Sequence, residues 1–243
     1  MGLKKYIITG HVIEVYEYKN YIHGKGGARV RGEASEENKQ KNYSNTNQRR
    51  RDTIRRLACC NFDNKYDKFL TLTFADNKTD VKECNVLFKA FIRKLKRYKE
   101  DLKYLAVIEF QERGAVHYHV LLNIPYIPQK ELQELWGHGF VFINAISHVD
   151  NIGAYIIKYM TKDNKDTRLM GQKAYLFSRN LKVPEKILNH NLKDFYYLEK
   201  KIYDKYKLDS LNPEYVSNFT SELLGECVYK QYNLKRGILW KDF

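Results

Sequence analysis

Two apolar runs, Tyr104 to Phe110 and Ala115 to Leu122, flank the short segment Glu112-Arg113-Gly114. Strand-forming runs on either side of a glycine-containing turn predict an antiparallel hairpin. That hairpin constrains the rest of the chain, because its neighbours must supply the remainder of a layered fold. Lys68 to Ala75, KFLTLTFA, predicts a strand before it. Val81 to Arg97 has helical spacing at Val86, Leu87, Ala90, Phe91 and Leu95, with basic residues toward its C-terminal end. Pro128 opens a short helix to Trp136. Gly139 to Ile146 predicts a strand, Ile152 to Thr161 a helix, and Ala174 to Ser178 a last strand. The succession is strand, helix, strand, strand, helix, strand, helix. It predicts an α+β fold with a ferredoxin-like antiparallel sheet backed by helices.

Outside this stretch the reading is coarser. Residues 4 to 18 alternate loosely and predict a strand or hairpin arm. Residues 20 to 46 are glycine-rich, then polar, and predict an exposed basic loop with Gly24, Gly26, Gly27 and Gly32. Asn47 to Asn61 predicts a short basic helix. It carries Arg49, Arg50, Arg51, Arg55 and Arg56, with Ile54, Leu57 and Ala58 as its apolar stripe. The arginines are read as a DNA-phosphate clamp rather than a merely solvated face. From Pro184 the chain reads as polar, tyrosine-rich and helical. The expected division is an N-terminal arm, basic loop and basic helix (1–61), a core (62–183) and a helical C-terminal extension (184–243). No internal repeat is present.

Charge narrows the partners. Of 243 residues, 43 are Lys or Arg and 29 are Asp or Glu, a formal balance of +14. Nucleic acid is the first partner class such a balance suggests, since each phosphate contact releases counterions. The cysteines Cys59, Cys60, Cys84 and Cys227 form no CxxC pair. They predict a reducing, cytoplasmic setting rather than a disulfide framework. The N-terminal residues are too weakly apolar for a signal peptide, and no stretch reaches membrane-span length, so no membrane partner is expected.

The chemistry concentrates in two segments. In Val116-His117-Tyr118-His119-Val120, the period of a strand puts His117 and His119 on one face and Tyr118 on the other. Two neutral imidazoles on one face begin a divalent metal site. Glu109, on the other arm of the hairpin, is the best third ligand. Glu112 in the turn is the alternative, and Gln111 shares the face of Glu109. A carboxylate beside two imidazoles suits Mg2+ or Mn2+. In the second segment, helical spacing puts Tyr155, Lys158, Tyr159 and Lys162 on one stripe and Ile152, Ile156 and Met160 on another. A nearby lysine favours a phenolate and neutralises a phosphate.

Glutamate, then His-x-His, then a Tyr-x-x-Lys helix resembles the HUH endonuclease superfamily of rolling-circle replication initiators, conjugative relaxases and certain transposases. Phe69 to Phe74 resembles the first motif of the replication-initiator (Rep) branch, Glu109 to Leu122 its metal-binding motif and Tyr155 to Lys162 its third. Asn47 to Asn61 resembles the lead-in of plasmid and single-stranded DNA phage initiators. The resemblance implies the HUH nuclease fold, with His117, His119 and Glu109 holding the metal, Tyr155 as nucleophile and Lys158 as the motif lysine. Tyr159 is either a second nucleophile, as in phage-type initiators, or dispensable. The implied reaction is transesterification on single-stranded origin DNA. It leaves a 5′-phosphotyrosine and a free 3′ hydroxyl, with host helicase and DNA polymerase as partners. No GxxxxGK[ST] segment of a fused helicase is present in these residues. A relaxase or transposase of the same superfamily is the nearest alternative. A non-catalytic DNA-binding protein with a structural metal, or a basic RNA-binding scaffold, is further away. A closed structural zinc site usually includes cysteine, and none lies near His117 in sequence.

Overall fold

The computed structural model describes residues 3–20, 35–62, 66–160, 168–169, 171–188, 192–221 and 224–236. Its strands are β1 (Leu3–Thr9), β2 (Val12–Tyr18), β3 (Lys68–Leu72), β4 (Tyr104–Phe110), β5 (Val116–Leu122), β6 (Val141–Ala145), β7 (Tyr175–Phe177), β8 (Glu185–Leu188), β9 (Tyr215–Ser221) and β10 (Gly225–Asn233). Its α-helices are α1 (Glu36–Asn61), α2 (Val81–Leu95), α3 (Gln129–Trp136), α4 (Ile152–Ile157) and α5 (Leu192–Tyr206). The chain divides into two compact units, Glu33–Lys182 and a second made of Met1–Gly32 with Val183–Phe243.

The unit Glu33–Lys182 holds a five-stranded antiparallel sheet in the order β6-β3-β5-β4-β7. The succession β3-α2-β4-β5-α3-β6 is the βαββαβ order expected of a ferredoxin-like sheet. The central hairpin turns at Gly114, whose φ of 88° lies in the left-handed region that glycine enters without steric penalty. There Gly114 N donates to Gln111 O (2.8 Å) and Gln111 N donates to Ala115 O (2.9 Å). The resulting register sets Glu109 opposite His117 and Val107 opposite His119.

The two faces of this sheet are covered differently. Leu70, Leu72, Ala106, Ile108, Val116, Tyr118, Val120 and Leu122 pack with α2 and α3 in one apolar cluster. Helix α2 fits this face because Val81, Cys84, Phe88, Phe91, Ile92 and Leu95 recur at helical spacing. Asp80 caps its start, accepting from Lys82 N (2.7 Å) and Glu83 N (3.1 Å). Trp136, buried at the end of α3, donates from Nε1 to Thr73 O (2.8 Å). Tyr118 points into this core, as its place between the histidines predicts. Its ring stacks on Phe88 (4.6 Å) and its hydroxyl donates to Asn85 Oδ1 (2.9 Å).

Helices α1 and α4 pack on each other with no room for a side chain at Gly153. A Cβ there would lie 2.6 Å from Arg55 O and 2.7 Å from Cys59 Sγ.

Three sequence-based expectations are corrected. The basic helix is far longer than 47–61: it begins at Glu36, capped by Ser35, and includes 36–46, expected to be loop. These added turns are polar and carry no apolar stripe, so periodicity gives no sign of them. The glycine-rich part of that expected loop lies outside the described residues. Helix α4 ends at Ile157 rather than Thr161, continuing only in turns such as Tyr159 N to Ile156 O (3.2 Å). Finally, the C-terminal segment is not a helical extension. It contains α5, but also β8, β9 and β10, which complete a second antiparallel sheet in the order β8-β1-β2-β10-β9. The predicted N-terminal hairpin, β1 with β2, is part of that sheet. Tyr6, Ile8, Ile13, Val15 and Tyr232 on one face pack with Ile202 of α5 and with Leu208.

Candidate metal centre

Pairing and alternation bring Glu109, His117 and His119 to the sheet face opposite α2 and α3. One potential ligand atom from each lies within 4.8 Å of the others. Glu112, the alternative, sits exposed in the turn. Gln111 accepts from Arg113 Nε at 2.9 Å.

The two imidazoles differ. His119 is buried, with Nε2 2.6 Å from Glu109 Oε2 and Nδ1 3.2 Å from Thr71 Oγ1. Without a cation the 2.6 Å contact needs a proton on Nε2, donated to Glu109; with the proton moved to Nδ1 and donated to Thr71 Oγ1, the Nε2 lone pair and the carboxylate can share a cation instead. His117 Nε2 is buried without a hydrogen-bond partner among the described residues. Burial, and secondarily the nearby His119, hold its pKa below the ordinary imidazole range. It is therefore neutral at neutral pH, as a ligand must be. An orphaned, neutral ring nitrogen beside a carboxylate and a second imidazole fits a divalent cation, and these three residues could coordinate one.

Above this cluster stand both tyrosines. The Tyr159 ring stacks on His119 at 3.9 Å between centroids. Tyr159 OH donates to Tyr155 OH (3.4 Å), and Lys158 Nζ lies 5.2 Å from the Tyr155 ring centroid. Phe69 on β3 supports the group, with its ring 5.0 Å from Tyr155, 5.1 Å from Tyr159 and 5.8 Å from His119. Burial, and then the hydrogen bond with Tyr155, push the Tyr159 phenol up to about 12. Phe69 and Thr71 were not among the expected site residues. Both lie in the first Rep-like motif, and their position opposite Leu121 and His119 follows once β3 is paired with β5.

The basic residues are distributed rather than aligned. Arg49 is exposed, while Arg50, Arg51, Arg55 and Arg56 are half-buried. Arg50 donates to Asn47 Oδ1 (3.1 Å) and to Gln172 O (3.3 Å). Arg55 lies 3.6 Å from Asp52, its side chain only 13% exposed. Lys162 lies outside the described residues. No helix among the described residues is long and apolar enough to cross a membrane.

An α+β unit whose His-His-Glu cluster could hold a divalent metal is consistent with a metal-binding, nuclease-type site. A family described as replication-associated protein ORF2/G2P matches residues 67–164, a span that contains all of these groups. The match links this part of the chain to Rep-type replication proteins. No curated protein and no solved structure matches the chain.

Proposed function

We propose that the protein is a rolling-circle replication initiator that nicks and rejoins single-stranded origin DNA. The observation that carries this reading is Tyr159 stacked at 3.9 Å on His119 of the Glu109, His117 and His119 cluster, with Tyr155 joined to Tyr159 through their hydroxyls (3.4 Å). Glu109, His117 and His119 would hold Mg2+ or Mn2+, which when bound supplies Lewis-acid polarisation of the scissile phosphate.

The residues of the chain do the rest. Thr71 orients His119, and Phe69 holds both tyrosine rings over the site. The Tyr155 oxygen attacks phosphorus and gives up its proton to water, which returns one to the leaving oxygen. The bond from phosphorus to the 3′ oxygen breaks, and that oxygen leaves as a 3′ hydroxyl after taking up a proton. The 5′ phosphate stays on Tyr155. Lys158, beside the ring, offsets the phosphate charge. Because the phosphotyrosine conserves the phosphodiester energy, the reverse attack by a 3′ hydroxyl rejoins the strand. Tyr159 donates to the Tyr155 oxygen, a bond that a Tyr155 phenolate would keep. Basic side chains of α1 bind flanking phosphates, and host helicase and polymerase extend the freed end.

The test is covalent trapping. Wild-type protein incubated with labelled single-stranded origin DNA and Mn2+ is expected to form an adduct mapping to Tyr155. Tyr155→Phe, which keeps the ring and removes only the hydroxyl, should form none, and Tyr159→Phe should still form it. An adduct on Tyr159 with Tyr155→Phe fully active would reverse the assignment, and no adduct at all would overturn the reading.

A further inference from the structure

Edge strand β6 and the residue just before it leave two large apolar side chains in solvent, Phe142 at 58% and Phe140 at 63% exposure. Their neighbours Val141 and Ile143 pack into the cluster with α2 and α3. Alternation therefore sends Phe140 and Phe142 to the opposite face, the one that carries the metal cluster. Register agrees: Phe142 pairs with Thr71, which pairs with His119. Phe140 is tied to Thr73, its N donating to Thr73 Oγ1 (3.0 Å) and its O accepting from Thr73 N (3.0 Å). The two rings thus stand two strand spacings, about 10 Å, to one side of the histidines.

Exposed aromatics on an unpaired sheet edge are an aggregation liability that proteins ordinarily avoid. Here they adjoin the phosphate-transfer site. Positions two apart on a strand are separated by about 7 Å, roughly twice the 3.4 Å repeat of stacked bases along one strand. Nucleobases next to a phosphate held at the metal cluster would meet apolar rings on this side. Aromatic rings stack on any base, independently of charge.

We propose that Phe140 and Phe142 form a base-stacking platform that seats the nucleotides next to the scissile phosphate of single-stranded DNA. The platform rests on the nuclease reading above and adds to it the residues that grip bases rather than phosphates.

The test uses full-length protein and a fluorescein-labelled, mixed-sequence single-stranded oligonucleotide, with binding followed by anisotropy. Phe140→Ala and Phe142→Ala are each expected to weaken binding about ten-fold, the loss of one base stack. Stacking releases no counterions, so the slope of log affinity against log salt should be unchanged. Phe142→Trp should restore affinity. Unaltered affinity in the double alanine variant, with wild-type adduct formation intact, overturns the platform and leaves the nuclease reading standing. Failure of wild-type protein to bind either this oligonucleotide or single-stranded origin DNA overturns both. If Phe142→Ala instead abolishes self-association in sedimentation while DNA affinity holds, the rings serve an interface between copies and the platform is again overturned.

Discussion

His117 and His119 are the same residue on the same strand face, yet they enter the site in different states. His119 is tied to Thr71 and Glu109, whereas His117 has a buried nitrogen with no hydrogen-bond partner among the described residues. A cation satisfies that nitrogen, so metal should stabilise the folded state measurably. We expect Mn2+ to raise the melting temperature of the wild type, and His117→Ala or His119→Ala to abolish both that rise and adduct formation. Glu109→Ala should behave similarly, and Glu112→Ala should not. Because Mg2+ gives up its waters reluctantly, Mn2+ is expected to act at lower concentration than Mg2+. A melting curve of His117→Ala that still shifts with Mn2+ would remove His117 from the ligand set. This much was legible in sequence, because strand alternation and a tight turn set the relation of Glu109 to both histidines. Thr71 and Phe69 were not. Their contribution depends on which distant strand pairs with β5, and periodicity carries no information about that.

At the scale of elements, the position of the tyrosines depends on how closely α4 sits on α1. Any side chain at position 153 must displace the backbone of Arg55 or the Cys59 sulfur. Gly153→Val is expected to lower stability by about 1–3 kcal/mol, the usual cost of overpacking, read from the urea midpoint. It should reduce adduct yield more than its stability loss explains, since Tyr155 moves with the helix. A wild-type midpoint in this variant would mean the two helices can part freely. On the other side of the sheet, burial pushes the Cys84 thiol up to about 11. Thiolate is the reactive form, so Cys84 should resist alkylation at pH 8 until the protein unfolds, as peptide mapping of the labelled protein will show. Helix α2 was visible in sequence through its apolar stripe. The first turns of α1 and strand β9 were not: the former lacks a stripe, and most residues of the latter are exposed, leaving no burial pattern to read.

For the whole molecule, the balance of +14 is only partly available to a phosphate backbone. Arg49 is exposed, but Arg50 is engaged with Asn47 and Gln172, and Arg55 with Asp52. Replacing Arg49 by Gln should therefore lower the salt slope of single-stranded DNA binding by about 0.7. Arg55→Gln should leave the slope almost unchanged and show its effect in stability. Equal slopes for wild type and Arg49→Gln in a salt titration would assign Arg49 to solvation alone.

The second sheet also imposes an order of events on synthesis. Strand β2 ends at Tyr18, and its partner β10 begins only at Gly225. At roughly 5–20 residues per second, a nascent chain waits on the order of ten to forty seconds between the two. During that interval the complete β6-β3-β5-β4-β7 sheet is made and can fold, while β1 and β2 have only each other until β8 joins β1, and the β10 edge of β2 stays open throughout. The metal-cluster unit should thus reach its native form first. A ribosome stalled before Gly225 would carry a finished Glu109, His117 and His119 cluster together with an open β2 edge, and that edge is where a chaperone would be expected to bind.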